Sequence, residues 1–217
     1  MSSFQGKVVV ITGGAGEIGK AAAKLLASDG ADVLLVDCNQ KALDVAVAEI
    51  GSKRVSACVA DVTAVASTQA YIRAAVDRFG GIDVLLSNAG IEGKVAPIFD
   101  ADPADFDRVI AVNVRGVWLS LKYAIPEIRK RGGGSIVISS SIAGLRGTAG
   151  VTPYVTSKHA VIGLMRAVQY PRQYRQSIPG RNTHDAFAGG GSDARQGGRS
   201  VHHAQGNDPA TALCRVR

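Results

Sequence analysis

Along the first 168 positions, short apolar runs rich in β-branched residues alternate with longer stretches whose apolar residues recur at helical spacing. That alternation is the rhythm of parallel βαβ units rather than of hairpins. Strands are predicted at residues 8–11, 33–36, 55–59, 84–87 and 135–139, and helices at 18–28, 41–50, 65–79, 103–131 and 154–168. The punctuation agrees: Gly30 stops the first helix, Asp102 and Pro103 suit the N-cap and first position of the fourth, and glycines at 132–134 end it. In the last helix Val155, Val161, Ile162 and Met165 supply the apolar face. Strands this continuously apolar, each followed by a helix, require a sheet covered on both faces. The expected fold class is therefore α/β, a doubly wound parallel sheet of the Rossmann type.

The pattern stops at about residue 168. From 169 to 217 there is no Lys but seven Arg, only four Ile, Leu or Val residues, and a glycine cluster at 189–191. Such a stretch buries too little apolar surface to offset its ordering entropy. The expected organisation is a catalytic domain over 1–168, without the last strands of the sheet, and a largely disordered tail over 169–217. With the last strands absent, the strand at 135–139 is expected on an open edge.

Composition narrows the class. With 217 residues and 46% hydrophobic content, one substantial core is the natural outcome. The net charge of +7 is uneven: residues 1–168 hold 18 basic and 15 acidic groups, and 169–217 hold 7 and 3. No basic stripe interleaved with aromatics runs through the body, which argues against a nucleic-acid partner. The start of the chain is polar, and no run approaches the roughly 20 apolar residues of a membrane span, so a cytoplasmic protein with no membrane partner is expected. Cys38, Cys58 and Cys214 form no CxxC and are expected as buried free thiols. The four histidines have no acidic or Cys neighbours at ligand spacing, so no metal is assigned.

Candidate chemistry begins at Ile11-Thr12-Gly13-Gly14-Ala15-Gly16-Glu17-Ile18-Gly19, between the first strand and first helix. Glycines there permit a tight turn and bring backbone N–H groups and a helix N-terminus toward a pyrophosphate. A glycine-rich turn alone is weak evidence; its place after a strand and before a helix strengthens it. Asp37 ends the second strand eighteen residues past Gly19, where an acidic group can reach the ribose hydroxyls, although an N-cap role fits equally well. A carboxylate there repels a 2′-phosphate, and Ala15, Gly16 and Cys38 offer no basic counterweight, so NAD is favoured over NADP. Tyr154 and Lys158 lie four apart and share a helix face. A neighbouring ammonium lowers a phenol pKa, which makes the pair a tunable general acid/base. A lone Tyr and Lys at this spacing is also an ordinary surface pair.

Together, Thr12-Gly13 through Gly19, Asp61-Val62, Asn88-Ala89-Gly90, Asn113, Ser141 and Tyr154 through Lys158 resemble, in order and spacing, the short-chain dehydrogenase/reductase family over residues 4 to about 168. The resemblance implies an NAD(P)-dependent oxidoreductase that moves a hydride between nicotinamide and a secondary alcohol or ketone. Tyr154 would transfer the proton, Lys158 would lower its pKa and hold the nicotinamide ribose, Ser141 would bond the substrate oxygen, and Asn113 would support a water-linked relay. Ser141 is selected over Ser139 and Ser140 because it lies thirteen residues before Tyr154; the other two read as a strand end with spare hydroxyls. The cofactor set would be Gly13, Ala15, Gly16, Glu17, Ile18, Gly19, Asp37, Asp61, Val62, Asn88, Ala89, Gly90, Tyr154 and Lys158. The long helices at 103–131 and 154–168 would form a homo-oligomer face.

Two departures qualify the resemblance. Glu17 stands where the family loop has a glycine, and a carboxylate beside a pyrophosphate weakens binding unless it turns to solvent. After residue 168 the family's strand, proline-glycine turn, substrate-covering segment and final strand are not recognisable, apart from an echo at Ile178-Pro179-Gly180. A shifted reading frame or substituted tail would account for that break, and a coding-DNA frame that restores strand patterning after residue 168 would support it. The expectation is then weak or no activity, with a catalytically impaired nucleotide-binding or interaction protein that has lost its substrate-binding end as the alternative function.

Overall fold

The β-branched runs form strands because their stiff side chains pack well on a pleated surface buried on both faces. In the computed structural model, which describes residues 4–168 and the backbone of 211–216, these are β1 (Val8–Thr12), β2 (Asp32–Asp37), β3 (Val55–Val59), β4 (Val84–Ser87) and β5 (Gly134–Ser139). All five are parallel, and a sixth strand, β6 (Thr211–Val216), pairs antiparallel with β5, giving the order β3-β2-β1-β4-β5-β6. The doubly wound parallel sheet is as the sequence pattern requires. The edge is not: the expected open flank of β5 is paired along its length, from Gly134 opposite Val216 to Ser139 opposite Thr211. A strand thus stands inside a segment whose composition shows none. The rest of the tail, with the expectation of disorder, lies outside the described residues.

Helices α1 (Glu17–Ser28) and α2 (Gln40–Ile50) cover one face of the sheet, and α3 (Val65–Phe79), α5 (Gly116–Lys130) and α6 (Thr152–Val168) the other. Two cores result. Val9, Ile11, Val33 and Leu35 meet Ala23, Ala27, Leu43 and Ala46, while Val10, Leu34, Leu85, Ile136 and Ile138 meet Tyr71, Ala124, Ile128 and Val161. No helix of the described residues is long and apolar enough to cross a membrane.

The expected single helix over 103–131 is interrupted. α4 (Pro103–Ile110), capped by Asp102 Oδ1 accepting from Ala104 N–H at 2.9 Å, runs into a π-helical turn at Ala111–Arg115 before α5 begins. The cause is tertiary: Asn113 inside that turn is drawn into buried hydrogen bonds described below, a pull no periodicity encodes. Cys38 also departs from expectation, being exposed, and Cys58 is only half-buried; burial raises both thiol pKa values.

At the amino-terminal ends of the strands, Asp83 is buried and accepts from Val8 N–H (3.0 Å), Arg131 (3.0 Å) and Lys7 (3.2 Å). Burial alone would raise this carboxyl, but those donors outweigh it and hold it below the ordinary carboxylate range. A depressed carboxyl stabilises above its unfolded pKa, and that contribution is lost as pH falls through the folded value. Asp83→Asn is expected to reduce stability at pH 7 by about 2 kcal/mol. Melting curves of both forms should differ by about 6 °C there and converge toward acid pH.

Candidate active site

The strand order reverses between β1 and β4, and the crevice at their carboxyl ends is where open parallel sheets take ligands. Thr12, the last residue of β1, fastens the two strands: its buried hydroxyl accepts from Asn88 N–H (3.1 Å) and Ala89 N–H (3.2 Å). Asn88 Nδ2 returns a bond to the Gly13 carbonyl at 3.3 Å. Gly13 has φ +66°, and a Cβ on it would sit 2.9 Å from Ala89 Cα, so both the turn and the close approach of the Asn88–Gly90 segment require glycine.

Gly14 and Gly19 pack inward, and Gly16 is the N-cap of α1. No side chain caps this helix, in contrast to α2 and α4, which Asn39 and Asp102 cap. Ile18 lies exposed at the same terminus. Glu17 turns away, its side chain 90% exposed and paired with Lys20 at 2.8 Å, so the feared carboxylate at the loop is directed to solvent. Asp37 Oδ2 accepts from Ala15 N–H at 3.2 Å, and Oδ1 accepts from Asn39 N–H at 3.2 Å. The carboxylate therefore closes the glycine loop as well as standing at the end of β2. Asp61 is exposed after β3, where its Oδ1 accepts from the N–H and hydroxyl of Thr63, both at 2.8 Å; Val62 is buried against Gly116.

Of the predicted catalytic residues, Asn113, Tyr154 and Lys158 meet beside the turn after β4, and Ser141 lies just past the end of β5. Lys158, on the first turns of α6, is only 6% exposed. Its Nζ donates to the Ser139 carbonyl at 3.0 Å and lies 5.3 Å from the centre of the Tyr154 ring. Burial pushes the ammonium pKa down. A Cβ on Gly90 would meet Asn113 Oδ1 at 3.3 Å and Lys158 Nζ at 3.5 Å, so Gly90 leaves room above both. Tyr154 is partly exposed, and its hydroxyl bonds to no described residue. Ser141 caps a 3-10 turn (Ile142–Gly144), its Oγ accepting from Ala143 N–H at 3.2 Å, which leaves its own proton free to donate. Asn113 is buried, with Nδ2 donating to the Ile91 carbonyl (2.8 Å) and to Ser157 Oγ (2.9 Å), and Oδ1 accepting from Ile91 N–H (2.8 Å).

Ser139 and Ser140 are not the spare hydroxyls expected of a strand end. Ser139 Oγ donates to Asn88 Oδ1 at 3.0 Å, Ser140 Oγ donates to the Lys158 carbonyl at 3.2 Å, and the Ser139 carbonyl is the acceptor for Lys158. Their position at the carboxyl end of β5, beside the Asn88 turn after β4, was the available signal. A nicotinamide dinucleotide fits what is present: a glycine cradle, an open helix N-terminus, a carboxylate at the end of β2, and a buried ammonium beside a phenol whose hydroxyl bonds to no described residue.

Comparison with known proteins agrees. The family model for short chain dehydrogenase matches residues 7–178. The chain is 40% identical over 175 residues to levodione reductase of Leifsonia aquatica, covering 78% of this chain and 66% of that protein. With cyclohexanol dehydrogenase of Acinetobacter sp. (strain SE19) it shares 38% over 169 residues, covering 76% and 67%. The crystal structure of levodione reductase superposes with a TM-score of 0.74 at 39% identity over 76% of this chain and 66% of that one. NAD+-bound xylitol dehydrogenase gives 0.74 at 37% over 77% and 65%. The chain belongs to the short-chain dehydrogenase family. It spans just under two thirds of the length of the first relatives it matches.

Proposed function

We propose that this chain is an NAD-dependent oxidoreductase acting on a secondary alcohol or ketone. The observation that carries the proposal is Lys158: a buried ammonium with no carboxylate partner among the described residues, bonded to the Ser139 carbonyl and set beside the Tyr154 ring. Burying an unpaired cation is costly, and a phenolate or the hydroxyls of a ribose would compensate it. Nicotinamide, when bound, supplies the hydride acceptor or donor. Tyr154 takes the proton from the carbinol oxygen, or returns it to the carbonyl, with Lys158 stabilising the phenolate. Ser141 would donate to the same substrate oxygen, and Asn113, bonded to Ile91, supports the turn after β4 beside which a nicotinamide ribose would be held. Names of relatives with cyclic alcohols and ketones, levodione reductase and cyclohexanol dehydrogenase, make cyclic ketones the first substrates to try.

The glycine loop from Gly13 to Gly19 would hold the pyrophosphate, Asp61 and Val62 would border the adenine, and the Asn88–Gly90 turn would close the groove. Asp37 selects NAD, because a carboxylate repels a 2′-phosphate. NADH is expected to bind at least about tenfold more tightly than NADPH, and Asp37→Asn, which keeps shape but loses charge, should narrow the ratio. Fluorescence titration of both cofactors, followed by turnover on a panel of cyclic alcohols and ketones, tests the whole reading. Binding with no turnover across the panel would leave a nucleotide-binding protein instead.

An apolar groove of about 480 Å³ lined by Ile110, Val114, Trp118, Gly163, Leu164 and Ala167 supports an oligomer face there. Trp118 is 47% exposed there, and the small residues of α6 let another helix approach. We expect a homo-oligomer through this face, and Trp118→Glu should give a monomer by light scattering.

A further inference from the structure

Ser157 lies in the Tyr154–Lys158 segment without a role in the proposed chemistry, yet its hydroxyl is fully buried and doubly bonded. Oγ donates to the Tyr154 carbonyl at 2.7 Å and accepts from Asn113 Nδ2 at 2.9 Å. The first bond is ordinary for a helical serine reaching back one turn. The second is not, because it joins positions 44 residues apart and enters a π-helical turn. Asn113 then clamps the Ile91 peptide from both sides, N–H and carbonyl, at 2.8 Å each. One hydroxyl thereby ties together the turn after β4, the π turn and α6. Ile91 follows Gly90 and Ser157 precedes Lys158, so the link spans the gap in which Gly90 leaves room above Lys158 Nζ.

We propose that Ser157 is a positioning residue: acting through Asn113, it sets the spacing between the Gly90–Ile91 turn and the Tyr154–Lys158 face of α6. That spacing is the opening a nicotinamide ribose must enter, so the inference rests on the function proposed above. No water can replace the lost partner readily, because Asn113 and Ser157 are both buried, and deleting the hydroxyl leaves an amide hydrogen of Asn113 unpaired. The local geometry then relaxes where Lys158 and Tyr154 meet the turn. Burial already pushes the Lys158 pKa down, so small changes in what surrounds the ammonium alter its influence on the phenol.

The test compares the full chain with Ser157→Ala, Ser157→Thr, Asn113→Ala and the Ser157→Ala/Asn113→Ala double variant, none of which needs turnover to be read. NADH affinity is measured by fluorescence. The Tyr154 phenol is titrated by NMR of 13C-tyrosine-labelled protein, with Tyr154→Phe identifying its resonance. Ser157→Ala should weaken NADH binding about fivefold and displace the phenol titration, Ser157→Thr should keep the parent values, and the double variant should be no worse than either single. Parent values of both quantities in Ser157→Ala, even with a lowered melting temperature, would overturn the proposal, as would strictly additive effects in the double variant. Lys158→Ala separates the two readings. If it binds NADH like the parent, the proposed function itself fails; if it binds weakly while Ser157→Ala does not, only the positioning role fails.

Discussion

A Tyr154→Phe variant is expected to lose turnover by a factor of about 10² to 10⁴, the usual contribution of a positioned acid/base group, while binding NADH and melting like the parent. The separation follows from local geometry. The Tyr154 hydroxyl bonds to no described residue, so deleting it leaves no buried partner unsatisfied. The attraction between Lys158 and the ring, at 5.3 Å from the centroid, depends on the π face and survives in phenylalanine. The Lys158 bond to the Ser139 carbonyl is also untouched, so the ammonium stays where the ribose needs it. Only the transferable proton disappears. Steady-state rates on a responsive alcohol, with NADH titrations alongside, check this. A variant as active as the parent would remove Tyr154 from the chemistry, and one that failed to bind NADH would place the phenol in cofactor binding instead.

Which parts of this site were legible in the sequence depends on whether they are set by local or distant contacts. Apart from the interrupted helix over 103–131, the expected strands and helices up to residue 168 appear within two residues of their expected bounds, because β-branched runs and stops such as Gly30 act locally. The Tyr154/Lys158 pairing is likewise a consequence of helical spacing alone. By contrast, the π turn at Ala111–Arg115 depends on Asn113 meeting Ile91 and Ser157, which no period in the chain announces. Pairing of Thr211–Val216 with β5 is equally non-local, since so short a stretch, standing alone in a segment with no strand rhythm, becomes a strand only where an edge is available to it. The outward turn of Glu17 was within reach: Lys20 lies three residues on, a spacing that favours such a pair on the exposed side of a helix. The supporting serines were harder to see, because Ser139 and Ser140 gain their partners from β4 and α6, not from neighbours in sequence.

Close packing in the glycine loop leads to the second large effect. A methyl group on Gly19 would overlap the Gly13 carbonyl oxygen and lie 2.8 Å from Gly14 Cα. Both obstacles are backbone, so no side chain can swing aside. The loop would have to open, moving the uncapped N-terminus of α1 away from the Asn88–Gly90 turn that Thr12 and Gly13 hold. Gly19→Ala is accordingly expected to lose about 1 to 3 kcal/mol of stability, as overpacked interiors do. Misdirection of the helix terminus should also weaken NADH binding by at least about tenfold, the equivalent of one misplaced charge-assisted hydrogen bond. Gly16→Ala supplies the contrast, because its Cβ would come no nearer than 3.4 Å to the Gly13 carbonyl, an ordinary contact. Its melting temperature should match the parent, so any loss of NADH affinity there reports contact with the cofactor rather than damage to the loop. If Gly19→Ala instead melts and binds NADH like the parent, the loop is looser than this packing requires, and close glycine packing does not shape the cradle.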